Sequence, residues 1–190
     1  MNRREAVRRM TALMGGVLSA PTVAGILSGC TASTDAAWTP ATLTSHQNDI
    51  VTAIAERIIP ATDTPGAEAA HVNRFIDAML TESWFQEQVD AFTTGIDCVD
   101  DRAERDFGSD YLNLSDENQI ALLTALDDEA FGPDAAFDSD APPFFRIMKE
   151  LTVVGYYTSE IGASQELQIN MVPGRWDGCV PLSDVGRAWA

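Results

Sequence analysis

Apolar residues recur every three or four positions through most of the chain between residues 43 and 161. That spacing places them on one face of a helix, because an α-helix completes a turn every 3.6 residues. Proline, glycine and helix-capping residues divide the pattern into segments. The pattern predicts five helices, which are Thr44 to Pro60, near 68–82, near 84–107, Ser115 to Gly132, and Phe144 to about Ile161.

Several of these helix ends carry a capping signal. Thr44 and Gln47 have the spacing of a capping box, in which each side chain bonds the backbone of the other residue. Gly108 is expected to stop the third helix, because glycine readily adopts the left-handed conformation found at helix ends. Ser115 is a good N-cap for the fourth helix, and Pro143 suits the start of the fifth.

The fifth helix and the segment after it differ in character. Both faces of the helix are largely apolar over residues 151–157, so we expect it to lie centrally in the core. Gly162 is expected to end it. From about residue 163 the helical period is absent, and residues 167–171 alternate in the manner of a short extended piece. The predicted fold is mainly α: one helical-bundle domain of about five helices over 43–190, with an irregular C-terminal arm.

The first thirty residues resemble a targeting segment. Arg3 and Arg4 match the start of a twin-arginine export motif, and an uncharged apolar run ends in small residues followed by Cys30. This predicts a signal peptide over 1–29, lipidation at Cys30 and a flexible tether over 30–42, hence a membrane-anchored lipoprotein on the periplasmic face. A plain anchor helix, or a cysteine there by chance, is the alternative.

Net charge restricts the classes of partner. The chain has 12 Lys and Arg against 29 Asp and Glu, a formal net charge of −17. Such a charge repels nucleic acid, so no nucleic-acid partner is expected. It suits a soluble domain that docks on a neutral or basic partner.

Cys98 and Cys179 are the cysteines that follow Cys30. Export would place them where disulfides persist. They are candidates for one internal bridge or for a bridge to another subunit. Neither belongs to a CxxC pair, which argues against zinc, iron–sulfur and thioredoxin-type chemistry.

Few residues point to catalysis. His46 and His71 are predicted at helix starts as surface or capping residues. Two acidic groups are candidate sites: a loop group could bind calcium, and one face of the third helix could perform acid–base catalysis. The preferred interpretation of the loop group is a solvated loop, and its members are Asp134, Asp138 and Asp140. The preferred interpretation of the helix group is a solvent-exposed face, and its members are Asp97, Asp100, Asp101, Glu104 and Asp106.

The sequence also has no GxGxxG, GxxxxGK[ST], GxSxG or CxxCH motif. No residue of this chain is therefore assigned a catalytic, cofactor-binding or metal-binding role.

Two strings resemble a known family. One is RIIPATDTPGA at 57–67, followed by Val72 and Phe75-Ile76-Asp77. The other spans 144–181 and includes KELT at 149–152, GYYTSEIG at 155–162 and PGRWDGCVP at 173–181. Both are similar to gluconate 2-dehydrogenase subunit 3, the small-subunit family of membrane-associated flavin dehydrogenases.

The resemblance implies that this chain is a non-catalytic subunit of a larger enzyme. The large subunit of such a complex resembles glucose-methanol-choline oxidoreductases and holds FAD, and a cytochrome c subunit often passes electrons onward. The small subunit is expected to stabilise the catalytic one and to carry it through the twin-arginine translocase. The substrate of the complex would be a sugar, a sugar acid or a polyol.

The resembling strings also indicate where a partner would dock. Their glycine, proline, threonine and aromatic residues suit a buried interface, although the first string could be helix punctuation alone. The predicted interface residues are Pro60, Thr62, Asp63, Pro65, Gly66, Tyr156, Tyr157, Glu160, Arg175, Trp176, Asp177 and Cys179. Cys179 lies within a resembling string, which favours a role at the interface over a bridge to Cys98.

Two other functions compete with the subunit hypothesis. A stand-alone exported lipoprotein could bind a small ligand in a helical pocket. A metal-dependent enzyme could use the clustered aspartates. A neighbouring reading frame for a large flavoprotein would favour the subunit, and absence of metal from the purified protein would dismiss the third hypothesis.

Overall fold

The structure is a computed structural model that describes residues 38–133, 142–170, 172, 174 and 178–188. It divides the chain into Met1–Thr39 and Pro40–Ala190, and every element below belongs to the second unit. The predictions at Arg3, Arg4 and Cys30 lie outside the described residues. No described helix combines the length and apolar character needed to cross a membrane.

Five helices of eleven residues or more form the fold, which confirms the predicted mainly α bundle. They are α1 (Ser45–Ile58), α2 (Val72–Glu82), α3 (Gln86–Phe107), α4 (Asp116–Phe131) and α5 (Phe144–Tyr157). A 3₁₀ turn (Tyr111–Asn113), a π-helical turn (Gly162–Glu166) and the short α6 (Leu182–Val185) complete the described elements.

Local signals set most of the helix ends. Thr44 and Gln47 form the predicted capping box, with Thr44 Oγ1 accepting from Gln47 N at 3.2 Å. Gly108 ends α3 in the left-handed conformation with φ of 79°. Ser115 caps α4 as predicted, and Pro143 directly precedes α5.

The start of α2 lies later than predicted. His71 adopts a left-handed conformation with φ of 55°, which breaks the helical hydrogen-bond ladder. The residues before it form turns, with Val72 N donating to Ala67 O at 3.1 Å. Helix α2 therefore begins at Val72 and not near residue 68.

The prediction that α5 continues to Ile161 and ends at Gly162 is wrong. Thr158 and Ser159 follow the last helical residue, and Ser159 Oγ donates to Tyr156 O at 2.6 Å while accepting from Gly162 N at 3.0 Å. A serine side chain that bonds the backbone in this way replaces the helical ladder. Gly162 instead begins the π-helical turn, in which Leu167 N donates to Gly162 O at 2.8 Å.

Helix α5 is the central element, as expected. It packs against α1, α2, α3 and α4, and one face is buried through Phe145, Met148, Leu151, Thr152, Gly155 and Tyr156. Its opposite face carries Val153 and Val154, which are exposed. The apolar character of that second face is therefore not explained by burial within the chain.

Asp77 fixes the entry of the chain into α1. Its buried carboxylate accepts hydrogen bonds from three successive backbone N–H groups, those of Ala41 at 2.7 Å, Thr42 at 3.0 Å and Leu43 at 2.9 Å. This clamp joins the segment before α1 to the middle of α2 and gives the buried carboxylate three hydrogen-bond donors.

The C-terminal arm returns toward the π-helical turn. Gln168 N donates to Ala188 O at 2.8 Å, and Arg187 donates to Gln165 O. Residues 167–170 are non-helical, as the alternation predicted, and no β-strand occurs within the described ranges.

Candidate functional site

The loop at 60–67 is held in one shape by Glu56 of α1. The carboxylate of Glu56 accepts hydrogen bonds from Ala61 N at 2.9 Å and Glu68 N at 2.8 Å, one on each side of the loop. Ala67 N also donates to Ile59 O at 2.9 Å, which closes the base of the loop. The loop therefore has a defined conformation and does more than end one helix before the next begins.

Gly66 is required by the closeness of Glu56. A Cβ atom at position 66 would lie 2.4 Å from Glu56 Oε1 and 2.6 Å from Ala61 N. Glycine is the residue that lets the carboxylate and the loop backbone approach this closely.

The loop and the segment after α5 meet in space. Tyr156 donates its hydroxyl hydrogen to Pro65 O at 2.7 Å, and Thr64 Oγ1 donates to Glu166 Oε2 at 2.6 Å. These bonds join residues 91 and 102 positions apart. The structure thus brings together the two strings that were singled out in the sequence.

Replacing Tyr156 with Phe is expected to lower the free energy of unfolding by about 1 kcal/mol, because it leaves the Pro65 carbonyl without its hydroxyl donor. Urea unfolding measures the change. Tyr157→Phe is the matched control, since the described structure gives the Tyr157 hydroxyl no hydrogen bond and the ring is partly exposed. Equal losses for the two variants would contradict this role for the Tyr156 hydroxyl.

The predicted interface residues occupy three kinds of position. Pro60, Thr62, Asp63, Tyr157 and Glu160 are exposed and available to a partner, whereas Pro65 is half-buried. Gly66 and Tyr156 are buried, so they shape the surface from beneath. Of the remaining four, Cys179 is exposed, and Arg175, Trp176 and Asp177 lie outside the described residues.

Both cysteines of the described fold are exposed. Cys98 lies on α3 and Cys179 lies in the arm, and the two are not bonded to each other in the structure. The role of Cys179 at an interface stays a prediction.

The acidic face of α3 is used for packing between elements. Asp97 Oδ1 accepts from Gln47 Nε2 at 2.8 Å, and Asp100 accepts both from His46 and from Tyr111 N. Two of the predicted surface carboxylates therefore attach α3 to the start of α1 and to the 3₁₀ turn.

Replacing His46 with Gln is expected to remove stability at low pH and little at high pH. The hydrogen bond that the His46 ring donates to Asp100, more than the nearby charges, raises the pKa of His46 above its ordinary value of 6.5. The folded chain then holds the proton more tightly than the unfolded chain. The stabilising contribution is complete below pH 6.5 and is lost as the pH rises through the folded pKa.

Urea unfolding at about pH 5.5 and about pH 8.5, on either side of the ordinary histidine pKa, tests this expectation. The difference between the wild-type chain and His46→Gln should be larger at the lower pH. The same difference at both pH values would contradict it.

Burial isolates one further titratable group. Tyr111 is completely buried, and its hydroxyl has no hydrogen-bond partner among the described residues. Burial raises the pKa of Tyr111, so its phenol stays protonated. Its backbone is held by Asp100 and by Gln119 Nε2, which donates to Tyr111 O at 3.0 Å. These contacts attach the 3₁₀ turn to α3 and α4.

No group of three His, Cys, Asp or Glu within the described ranges could hold a metal ion. The loop residues Asp134, Asp138 and Asp140, the candidates for calcium binding, lie outside those ranges.

One groove of about 370 Å³ lies between α3 and the start of α5. Gly95, which lines it, is packed within α3 against Phe144, and a Cβ there would lie 2.4 Å from Phe144 Cδ2. The groove is therefore not a glycine-rich phosphate cradle of the kind that holds a dinucleotide.

Sequence reasoning missed the contacts of the carboxylates that join distant segments of the fold. Asp77, Glu56 and Glu166 each bond groups outside their own element, at separations of up to 102 positions. A single carboxylate in a helical segment carries no signal of such a distant partner.

The family model described as Gluconate 2-dehydrogenase subunit 3 matches residues 45–174, more than half of the chain. No curated protein and no solved structure matches the chain. The matched range contains loop 60–67, all of α5 and the π-helical turn, which are the elements that form the candidate site. The chain therefore belongs to the gluconate 2-dehydrogenase subunit 3 family.

Proposed function

We propose that this chain is the non-catalytic small subunit of a periplasmic flavin-dependent dehydrogenase of the glucose-methanol-choline type. Family membership implies a place in a larger dehydrogenase complex. In the proposed complex, the large subunit oxidises a sugar, a sugar acid or a polyol, and this chain stabilises that subunit and accompanies it through export.

The proposal rests on the family match together with the hydrogen-bonded surface of loop 60–67, which lies within the matched range. Loop 60–67 is bonded at its base by Glu56 and along its side by Tyr156 and Glu166. A surface whose backbone is already ordered loses little conformational entropy when a partner binds. Such a surface suits a docking subunit.

The flavin belongs to the partner in this proposal. The sequence lacks the glycine-rich fingerprint of a dinucleotide site. The groove between α3 and α5 is lined by side chains such as Val99, Leu126 and Phe145, with no glycine-rich turn along it. The described residues offer no dinucleotide cradle, which supports assigning FAD to the large subunit, with a cytochrome c subunit as a further electron carrier.

Export and anchoring complete the proposal. Arg3 and Arg4 would direct the folded chain, with its partner bound, to the twin-arginine translocase. Lipidation of Cys30 would then hold the complex at the periplasmic face of a membrane. Residues 30–42 would act as the tether.

Replacing Arg3 and Arg4 with Lys tests the escort role in cells that also express the large subunit. Both proteins should then accumulate in the cytoplasmic fraction. Arg9→Lys is the control, because Arg9 follows the stretch from Asn2 to Arg8 that resembles the export motif. Normal export of the flavoprotein in the Arg3 and Arg4 variant would overturn the escort role.

A further inference from the structure

Helix α5 presents an apolar stripe to solvent. Val153 is 43 % exposed, Val154 is 49 % exposed and Tyr157 is 37 % exposed. Residues three and four positions apart are neighbours on a helix surface, so these three side chains are contiguous. The outer face of a surface helix normally carries polar side chains, and an exposed apolar group of this kind marks a binding surface.

Packing on the other side keeps the stripe outward. Gly155 of α5 lies against Phe75 of α2, and a Cβ at position 155 would lie 2.7 Å from Phe75 Cδ1. Thr152 is fully buried on the same face and donates to Met148 O at 2.8 Å. Helix α5 therefore cannot rotate to bury Val153 and Val154 without losing this packing.

The ends of the stripe are acidic. Glu150 precedes Val153 by one turn, Glu160 follows Tyr157 by three residues, and both are exposed. Within the part of the chain that the structure describes, neither carboxylate forms an ion pair. Two basic side chains of α5 reach α4, where Arg146 donates to Ala130 O and Lys149 donates to Asp127.

The stripe is also continuous with the loop. The ring of Tyr157 packs edge-on against the ring of Tyr156, with centroids 5.3 Å apart, and Tyr156 holds Pro65. Loop 60–67 and the stripe are thus linked through one pair of aromatic rings.

We propose that the α5 stripe, formed by Val153, Val154 and Tyr157, is the surface on which the large dehydrogenase subunit docks. The matching face of that subunit has an apolar centre with Arg or Lys residues opposite Glu150 and Glu160. Family membership implies a larger dehydrogenase partner, and the stripe adjoins loop 60–67, which the family match also covers. The acidic ends of the stripe would attract basic residues on that partner. The inference rests on the proposed function and specifies its interface.

Val154→Glu places a charge in the centre of the stripe and tests the inference. The full chain is expressed with the large subunit, and the captured partner is identified by its flavin spectrum and by peptide mass spectrometry. We expect binding to weaken by about 30-fold or more, the loss typical of a residue at an interface centre. Ile120→Glu is the matched control, because Ile120 is 52 % exposed on α4, and it should bind as the wild-type chain does.

A double variant, Glu150→Lys with Glu160→Lys, tests the charge complementarity without altering the apolar residues. We expect weaker binding at low salt, with less difference from the wild-type chain at high salt, because salt screens exposed charges. Unchanged binding at low salt would overturn the basic character assigned to the partner.

The outcomes separate the inference from the proposed function. If the wild-type chain captures the flavoprotein and Val154→Glu does so equally well, the interface is wrong and the function stands. If the wild-type chain captures no flavoprotein, both are overturned. A large fall in the Tm of isolated Val154→Glu would mean that the chain covers its own stripe. A wild-type homodimer that Val154→Glu dissociates would assign the stripe to a second copy. Either result would overturn the inference.

Discussion

Replacing Asp77 with Ala is expected to lower the free energy of unfolding by about 3–4 kcal/mol, the largest loss foreseen for a single substitution in this chain. The variant removes the acceptor of three backbone N–H groups, those of Ala41, Thr42 and Leu43. A buried donor left without a partner is costly, because it has lost its water without gaining a protein bond. Urea unfolding measures the loss.

Asp77→Asn refines the same test. Its amide oxygen can replace the carboxylate oxygen that accepts from Thr42 and Leu43, but its NH₂ group would face Ala41 N. We expect an intermediate loss of about 2 kcal/mol. Asp101→Asn is the control, because Asp101 is an exposed carboxylate on α3, and its effect should stay within about 0.5 kcal/mol. Faster amide exchange at residues 41–43 should accompany the loss, and unchanged exchange would contradict the clamp.

Replacing Gly162 with Ala is expected to cost about 2–3 kcal/mol. A Cβ at this position would lie 2.0 Å from Tyr156 O and 2.7 Å from Tyr156 C. Both atoms belong to the backbone, so no side-chain rotation relieves the clash. The π-helical turn must shift away from the end of α5, and Glu166, which lies in that turn, moves away from Thr64.

Ser164→Ala is the matched control for Gly162→Ala. Ser164 is exposed in the same turn and bonds only the nearby Glu160 O, so its loss should stay within about 0.5 kcal/mol. The Gly162 variant should also bind the large subunit more weakly, because the turn supports loop 60–67. Wild-type stability in Gly162→Ala would contradict the required close approach.

The predictable part of the fold depends on local signals. Thr44 and Gln47 cap α1, Gly108 ends α3 and Ser115 caps α4, and each of these interactions spans a few residues. The apolar period likewise located the core faces of the helices, because helical repeat and burial are linked directly.

The remaining features depend on distant partners. Left-handed His71 shortens α2, and Ser159 with Gly162 ends α5 early, although neither changes the apolar pattern. The bond from Tyr156 to Pro65 spans 91 positions, and nothing at either residue specifies the other. The two strings of the candidate site could therefore be recognised in the sequence, but their contact could not.

The exposure of the outer face of α5 was also not predictable from the sequence. Apolar residues on both faces near Val153 and Val154 predicted a helix that is central in the core, and the structure places it there but exposes these two side chains. Burial inside one chain and burial against a second chain impose the same apolar pattern on a helix. The sequence pattern does not distinguish these two kinds of burial, and the structure shows that this chain leaves the face exposed.

A tagged pull-down of the native protein, with an absorption spectrum of the eluate, tests the central claim most directly. The subunit account predicts a large co-purifying protein with flavin absorption bands, which come from the cofactor of the partner. A colourless, stable monomer that elutes alone would contradict the account and would direct attention to ligand binding by the helical domain.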